Sequence, residues 1–306
     1  MKWRGRRQSS NIEDRRGSSG GFGGFGRSRG SRIGLPTGRA RAGGGLGIGA
    51  IVVLLIVAWI AGINPLELLS GGGGGGPVVT GQSSRQQAPT GTPDDAGGQF
   101  VAVVLADTES TWQRIFREGG ETYNEPILVL FSGQTSSACG FASAATGPFY
   151  CPGDQKVYID LDFYRELRDR FDAPGDFAQA YVIAHEIGHH IQNLLGVLPD
   201  VNAARRGASK AKSNELSVRL ELQADCLAGI WAHDAETRNV LEVGDIDEAL
   251  NAAAQIGDDA IQQRTQGYVV PESFNHGSSA QRSRWFKRGF EQGNLDACDT
   301  FGPADI

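Results

Sequence analysis

The sequence predicts an α+β fold, mostly helical with a small sheet, behind one N-terminal transmembrane helix. Three observations carry that prediction. Two short strand-like runs, 126–131 and 156–160, come early in the body, and helical periodicity dominates after them. A charge-free stretch of eighteen residues, 46–63, precedes the body. The string His185-Glu186-Ile187-Gly188-His189 lies in a proline-free apolar run, 177–195, that reads as a helix.

The chain has 306 residues and a net charge of −6, and the charge is unevenly spread. Residues 1–45 hold eleven Lys/Arg and two acids, an excess of nine positive charges, so the remainder carries −15. A basic tail ahead of an acidic body fits membrane topology better than nucleic-acid binding, and no nucleic-acid partner is expected. The stretch 46–63 spans about 27 Å as a helix, close to the hydrocarbon thickness of a bilayer. A cleaved signal peptide is the nearest rival, but it has a shorter apolar segment and no long basic lead. The positive-inside rule puts residues 1–45 in the cytoplasm as a disordered tail and the body outside the cytoplasmic membrane. Trp59 suits an interfacial position, whereas Gly45-x-x-x-Gly49, in so glycine-rich a stretch, is weak support for helix pairing. Residues 64–98 include six consecutive glycines and read as a flexible linker, 70–98 alone spanning about 30 Å on average. The folded domain is expected over 99–306.

Within that domain, 100–118 has the apolar spacing of an amphipathic helix, and 136–152 is a small-residue segment holding two cysteines. A short helix is expected over 162–171. Ala173-Pro174-Gly175-Asp176 ends it and can cap the motif helix. Further helices are expected over 214–234, over 249–256 behind a capping box at Asp245–Glu248, and over 278–292. The four cysteines, Cys139, Cys151, Cys226 and Cys298, all fall in the body. An even number in an oxidising compartment suits disulfides, with three connectivities open. Cys139–Cys151, closing a short loop, and Cys226–Cys298, tying the C-terminus to the middle of the domain, are favoured. A Cys₄ zinc site is disfavoured because no C-x-x-C pair exists.

On a helix, residues i and i+4 share one face about 6 Å apart along the axis. His185 and His189 can therefore hold one Zn²⁺, with Glu186 beside them as a base toward water. By chance alone the motif arises in about one chain in a hundred of this length, so a third ligand must be found. A histidine six residues after His189 is excluded, because Leu195 stands there. Glu221 and Asp225 lie i, i+4 in an apolar helix, where unpaired carboxylates are costly. Glu221 as third metal ligand, and Asp225 as acceptor for a ligand imidazole, satisfy both. His276 is the candidate electrophile for the oxyanion. His190 points about 100° away from His189 and is read as structural, and His233 as a surface residue.

The pattern Glu221-x-x-Ala224-Asp225 after H-E-x-x-H resembles the gluzincin metallopeptidases. The spacing of His276 and Arg282 resembles the H-P-x-x-x-x-R string of prenyl-protein endopeptidases, with Gly277 in place of proline. A closer resemblance rests on Gly147-Pro148-Phe149-Tyr150-Cys151-Pro152, Val157-Tyr158-Ile159-Asp160, His185 to His190, Glu221 to Cys226, Pro271-Glu272-Ser273-Phe274 and His276-Gly277-Ser278-Ser279. These strings are similar to the neutral zinc metallopeptidase family of bacteria. The resemblance implies a zincin-like domain and a membrane-anchored zinc peptidase acting on extracytoplasmic polypeptides. By analogy with gluzincins, 157–160 is a candidate edge strand for pairing with substrate. Two other readings compete. One is a non-catalytic anchored binding module stabilised by zinc, which would need no Glu186. The other is a zinc hydrolase of cell-wall amides.

Overall fold

The computed structural model describes residues 1–17, 90–143, 146–302 and 306. The expected transmembrane helix, 46–63, and most of the expected linker lie outside them. Among the described residues no helix is long and apolar enough to cross a membrane.

Among the described residues, five strands form a mixed sheet in the order β2-β1-β3-β7-β6. They are β1 (Ile12–Asp14), β2 (Thr90–Gly91), β3 (Ile127–Phe131), β6 (Phe149–Cys151) and β7 (Lys156–Asp160). β1, β3 and β7 run parallel, while β2 and β6 are antiparallel to their neighbours. β4 (Gln134–Ser137) and β5 (Gly140–Ser143) form a separate hairpin. A disulfide between Cys139 and Cys151 ties that hairpin to β6, and a second joins Cys226 to Cys298. This is the favoured pairing.

Residues 1–17 correct the expectation of a structureless tail over 1–45. Their strand, β1, sits inside the sheet with Ile12 in register with Leu128. Glu13 and Lys156, both buried, form an ion pair at 2.7 Å. The folded domain therefore includes the first residues as well as the expected body. A second correction concerns 157–160: β7 is interior, flanked by β3 and β6, and every residue of it is buried. The strand at that edge of the sheet is β6.

The helices pack on this sheet and on one another. α1 (Ala96–Glu118) begins two residues beyond Pro93-Asp94, with the Asp95 side chain accepting the Gly98 N–H. α2 (Asp162–Asp169) follows β7, and α3 (Asp176–Leu194) carries the motif. α4 (Val197–Arg205) leads to the long α5 (Lys210–Thr237), then α6 (Asp245–Gln255), α7 (Asp258–Gln266) and α8 (Ser279–Gln292). The core runs between sheet and helices and includes Phe177, Tyr181, Ile183 and Ile187 of α3, with Leu222, Ile230 and Trp231 of α5. Where α5 crosses α8, a Cβ on Gly289 would run into the Cys226 carbonyl, so the two backbones touch.

Capping departs from the expected pattern. Gly244, not Asp245, caps α6, and no side chain closes it. Glu248, expected to complete that box, instead accepts the Phe177 N–H at 2.9 Å and so closes the start of the motif helix. Asp176 and Asp245 both bond the Met1 ammonium, at 2.6 and 3.2 Å. A true capping box occurs at α8, between Ser278 and Gln281.

Candidate active site

α3 and α5 bring the predicted metal ligands together. Ligand atoms of His185, His189 and Glu221 all lie within 4.8 Å of one another. The Nε2 atoms of His185 and His189 stand 3.2 and 3.6 Å from the two Glu221 oxygens. Gly188 permits the approach: a Cβ there would meet the Ala224 carbonyl oxygen at 2.9 Å and its Cα at 3.1 Å. A bulkier residue at the fourth motif position would push α5, and Glu221 with it, away from the histidines.

Each imidazole is oriented from behind. His185 Nδ1 is 2.8 Å from Asp225 Oδ1, and His189 Nδ1 is 2.8 Å from Gln192 Oε1. Both acceptors favour a proton on Nδ1, which turns each Nε2 toward Glu221. Asp225, fully buried, also accepts from Tyr181 Oη at 2.5 Å and from Arg282 Nε and Nη2 at 2.9 and 3.0 Å. Gln192 donates to the Leu220 carbonyl at 2.6 Å and to Gln223 at 3.0 Å.

The electrostatics fit a cation site. Burial would lower the His185 pKa, but the adjacent Asp225 carboxylate and the Glu221 hydrogen bond outweigh it and push it up to about 10. Burial would raise the Glu221 carboxyl, yet the charge of His189 and the hydrogen bond from His185 hold it far below the usual carboxylate range. Two carboxylates thus hold positive charge between them, and two nitrogens and an oxygen converge on one point. That donor set suits zinc.

The trio lines a cleft of about 510 Å³. Glu186 lines it, 7 % exposed, and no hydrogen bond or ion pair among the described residues engages its carboxylate. His276 also lines the cleft, half-exposed, with Nδ1 3.1 Å from Asp258 Oδ1. The other Asp258 oxygen accepts the backbone N–H groups of Asn275, His276 and Gly277 at 2.7, 2.7 and 3.0 Å, which fixes the turn carrying His276. Partial burial lowers the His276 pKa, and the Asp258 hydrogen bond and the Glu221 charge together raise it above its ordinary value. The edge strand β6 supplies Phe149 and Tyr150 to one wall, and Phe163, Phe171, Ile256 and Ile261 make the rest largely apolar.

The other histidines lie elsewhere. His190 is buried and bridges the Asn124 carbonyl and Tyr150 Oη at 2.7 and 3.1 Å, and burial lowers its pKa. It is structural, as expected, and holds the β6 strand in place. His233 is partly buried rather than a plain surface residue, with Nδ1 2.7 Å from the Phe290 carbonyl at the end of α8. Tyr181, Gln192 and Asp258 escaped the sequence reading. A polar residue three positions after a candidate metal-binding histidine was the available sign for Gln192; the other two act across long stretches of chain.

Comparison with known proteins bears on the same residues. A family model described as "Putative neutral zinc metallopeptidase" matches residues 1–301. The chain belongs to this metallopeptidase family. It is 50 % identical over 304 residues to the uncharacterized protein YpfJ of Escherichia coli K12, covering 99 % of each chain. It is 44 % identical over 219 residues to the uncharacterized protein Rv2575 of Mycobacterium tuberculosis H37Rv, covering 68 % of this chain and 73 % of that one. No solved structure matches the chain. The metallopeptidase match begins at residue 1, in keeping with β1 being part of the folded domain.

Proposed function

We propose that the chain is a zinc-dependent endopeptidase that hydrolyses peptide bonds of extended polypeptides. The observation that carries this reading is the convergence of His185, His189 and Glu221 beneath an open cleft that also holds Glu186. Zinc, when bound, supplies a Lewis acid that acidifies water and polarises the scissile carbonyl. Glu186 accepts the proton from the attacking water and passes it to the leaving amine. His276, kept in place by Asp258, donates to the oxyanion as it develops. Asp225 and Gln192 keep each imidazole in the tautomer that binds metal. The edge of β6, unpaired among the described residues, offers backbone groups to an extended chain, and the apolar walls suit large apolar side chains beside the scissile bond.

A site that used zinc for stability alone would have no need of Glu186 with its carboxylate unengaged. Glu186→Gln is therefore expected to retain zinc, measured by elemental analysis, and to lose at least about 100-fold in casein cleavage. Equal cleavage by the variant and the wild type would remove Glu186 from the mechanism. A peptidoglycan digest run alongside tests amide hydrolysis in the cell wall. The two disulfides support an oxidising location for the body, outside the cytoplasm. The apolar stretch 46–63 supports association with the membrane.

A further inference from the structure

The first seventeen residues are wedged into the middle of the domain. β1 lies between β2 and β3, and its Ile12 is 1 % exposed. Glu13 reaches past β3 to Lys156 on β7. Arg15 donates to Thr135 Oγ1 and to the Ser136 carbonyl at 3.1 and 2.9 Å. Upstream, Ser9 and Arg7 bond Glu109 of α1 at 2.5 and 3.1 Å, and the Lys2 N–H bonds the Val240 carbonyl at 2.9 Å. Removing this segment would strip β3 of its neighbour over Leu128–Leu130 and leave Lys156 buried without Glu13.

β2, where the described chain resumes, is the antiparallel neighbour of β1, with Ile12 opposite Gly91 and Glu13 opposite Thr90. The chain therefore leaves the sheet and returns to it side by side. The apolar stretch 46–63 falls within this excursion. Any odd number of membrane crossings would put β1 and β3 on opposite sides, where they could not pair. Two helical crossings need about 40 apolar residues, and the stretch has eighteen.

We infer that residues 1–17 and the catalytic body lie on the same side of the membrane, because β1 pairs with both β2 and β3 in one sheet. Sheet pairing here overrides the orientation that the basic residues of 1–45 would dictate for a single crossing. The inference is independent of the catalytic reading, since zinc and proteolysis do not enter its test.

No cysteine is free among the described residues, and all four of the chain's cysteines are paired, so one introduced thiol reports its own location. Ser10→Cys marks the N-terminal segment and Glu236→Cys the body, both at exposed positions. Each full-length variant is treated in intact cells with a membrane-impermeant maleimide, before and after permeabilisation. The expected result is one pattern for both: labelled in intact cells, or labelled only after permeabilisation. Labelling of one in intact cells and of the other only after permeabilisation overturns the inference. Arg4→Cys with Glu118→Cys, also exposed, gives the same decision if either of the first variants fails to accumulate.

Discussion

His185 and His189 present the same nitrogen to the same point, yet opposite kinds of partner hold them. His185 leans on Asp225, a fully buried carboxylate that also binds Arg282 and Tyr181. His189 leans on the amide oxygen of Gln192, less than one turn along the same helix. One support is a charged chain linking α3, α5 and α8; the other is neutral and begins locally. A carboxylate makes its imidazole the more basic ligand, and a buried charged network works only when every member is satisfied. The two histidines are thus unequally supported, and the His185 side should bear most of the cost of any damage.

The largest effect is expected from Asp225→Ala. It strands Arg282, which is 3 % exposed, and removing one partner of a buried pair costs about 3–5 kcal/mol. Thermal melts of metal-free protein should show a marked drop in Tm, and chelator competition should show zinc affinity lowered by about 10- to 100-fold. Acid probes the same side without truncation. Burial pushes the Asp225 carboxyl up, but the Arg282 guanidinium and His185 hold it below its ordinary value. A group depressed on folding adds stability that is fully present above its unfolded pKa of about 3.9 and is lost as pH falls through the folded pKa. The wild-type Tm should therefore fall below about pH 4, whereas Asp225→Asn should show a shallower acid limb. Equal slopes would mean that Asp225 titrates alike in both states. The smallest effect is expected from Gln192→Ala, which leaves the Leu220 carbonyl without its side-chain donor and costs about 1–3 kcal/mol. Its loss of zinc affinity should stay below that of Asp225→Ala, and equal losses in the same titration would abolish the distinction between the two supports.

The contrast between local and long-range support also separates what could be read from the sequence. The motif helix was legible within about one residue at each end, because His185, Glu186 and His189 sit in a continuous apolar run. Glu221 and Asp225 were legible because two acids at i, i+4 in an apolar helix need partners. β3 and β7 stood out through their β-branched and aromatic residues. β1 did not: three residues, Ile12-Glu13-Asp14, amid Arg and Ser carry no periodicity, and their strand exists only because β3 and Lys156 receive it. Glu248 was read as a local cap because nothing in its spacing shows Phe177, 71 residues away. Asp258 lay hidden for a similar reason, since its carboxylate gathers three N–H groups from a turn that begins 17 residues later.

Gly188 sets the caliper of the metal site. With no side chain of its own, it fixes the separation of two helices that together supply the three candidate ligands. Zinc tolerates departures of only about 0.2 Å from its bond lengths to nitrogen and oxygen, while calcium takes oxygen ligands at about 2.3–2.6 Å. A methyl group at this position would open the gap by a few tenths of an ångström, which is the difference in radius between one cation and another. Which ion the candidate site would accept is therefore governed in part by a residue that would never touch it.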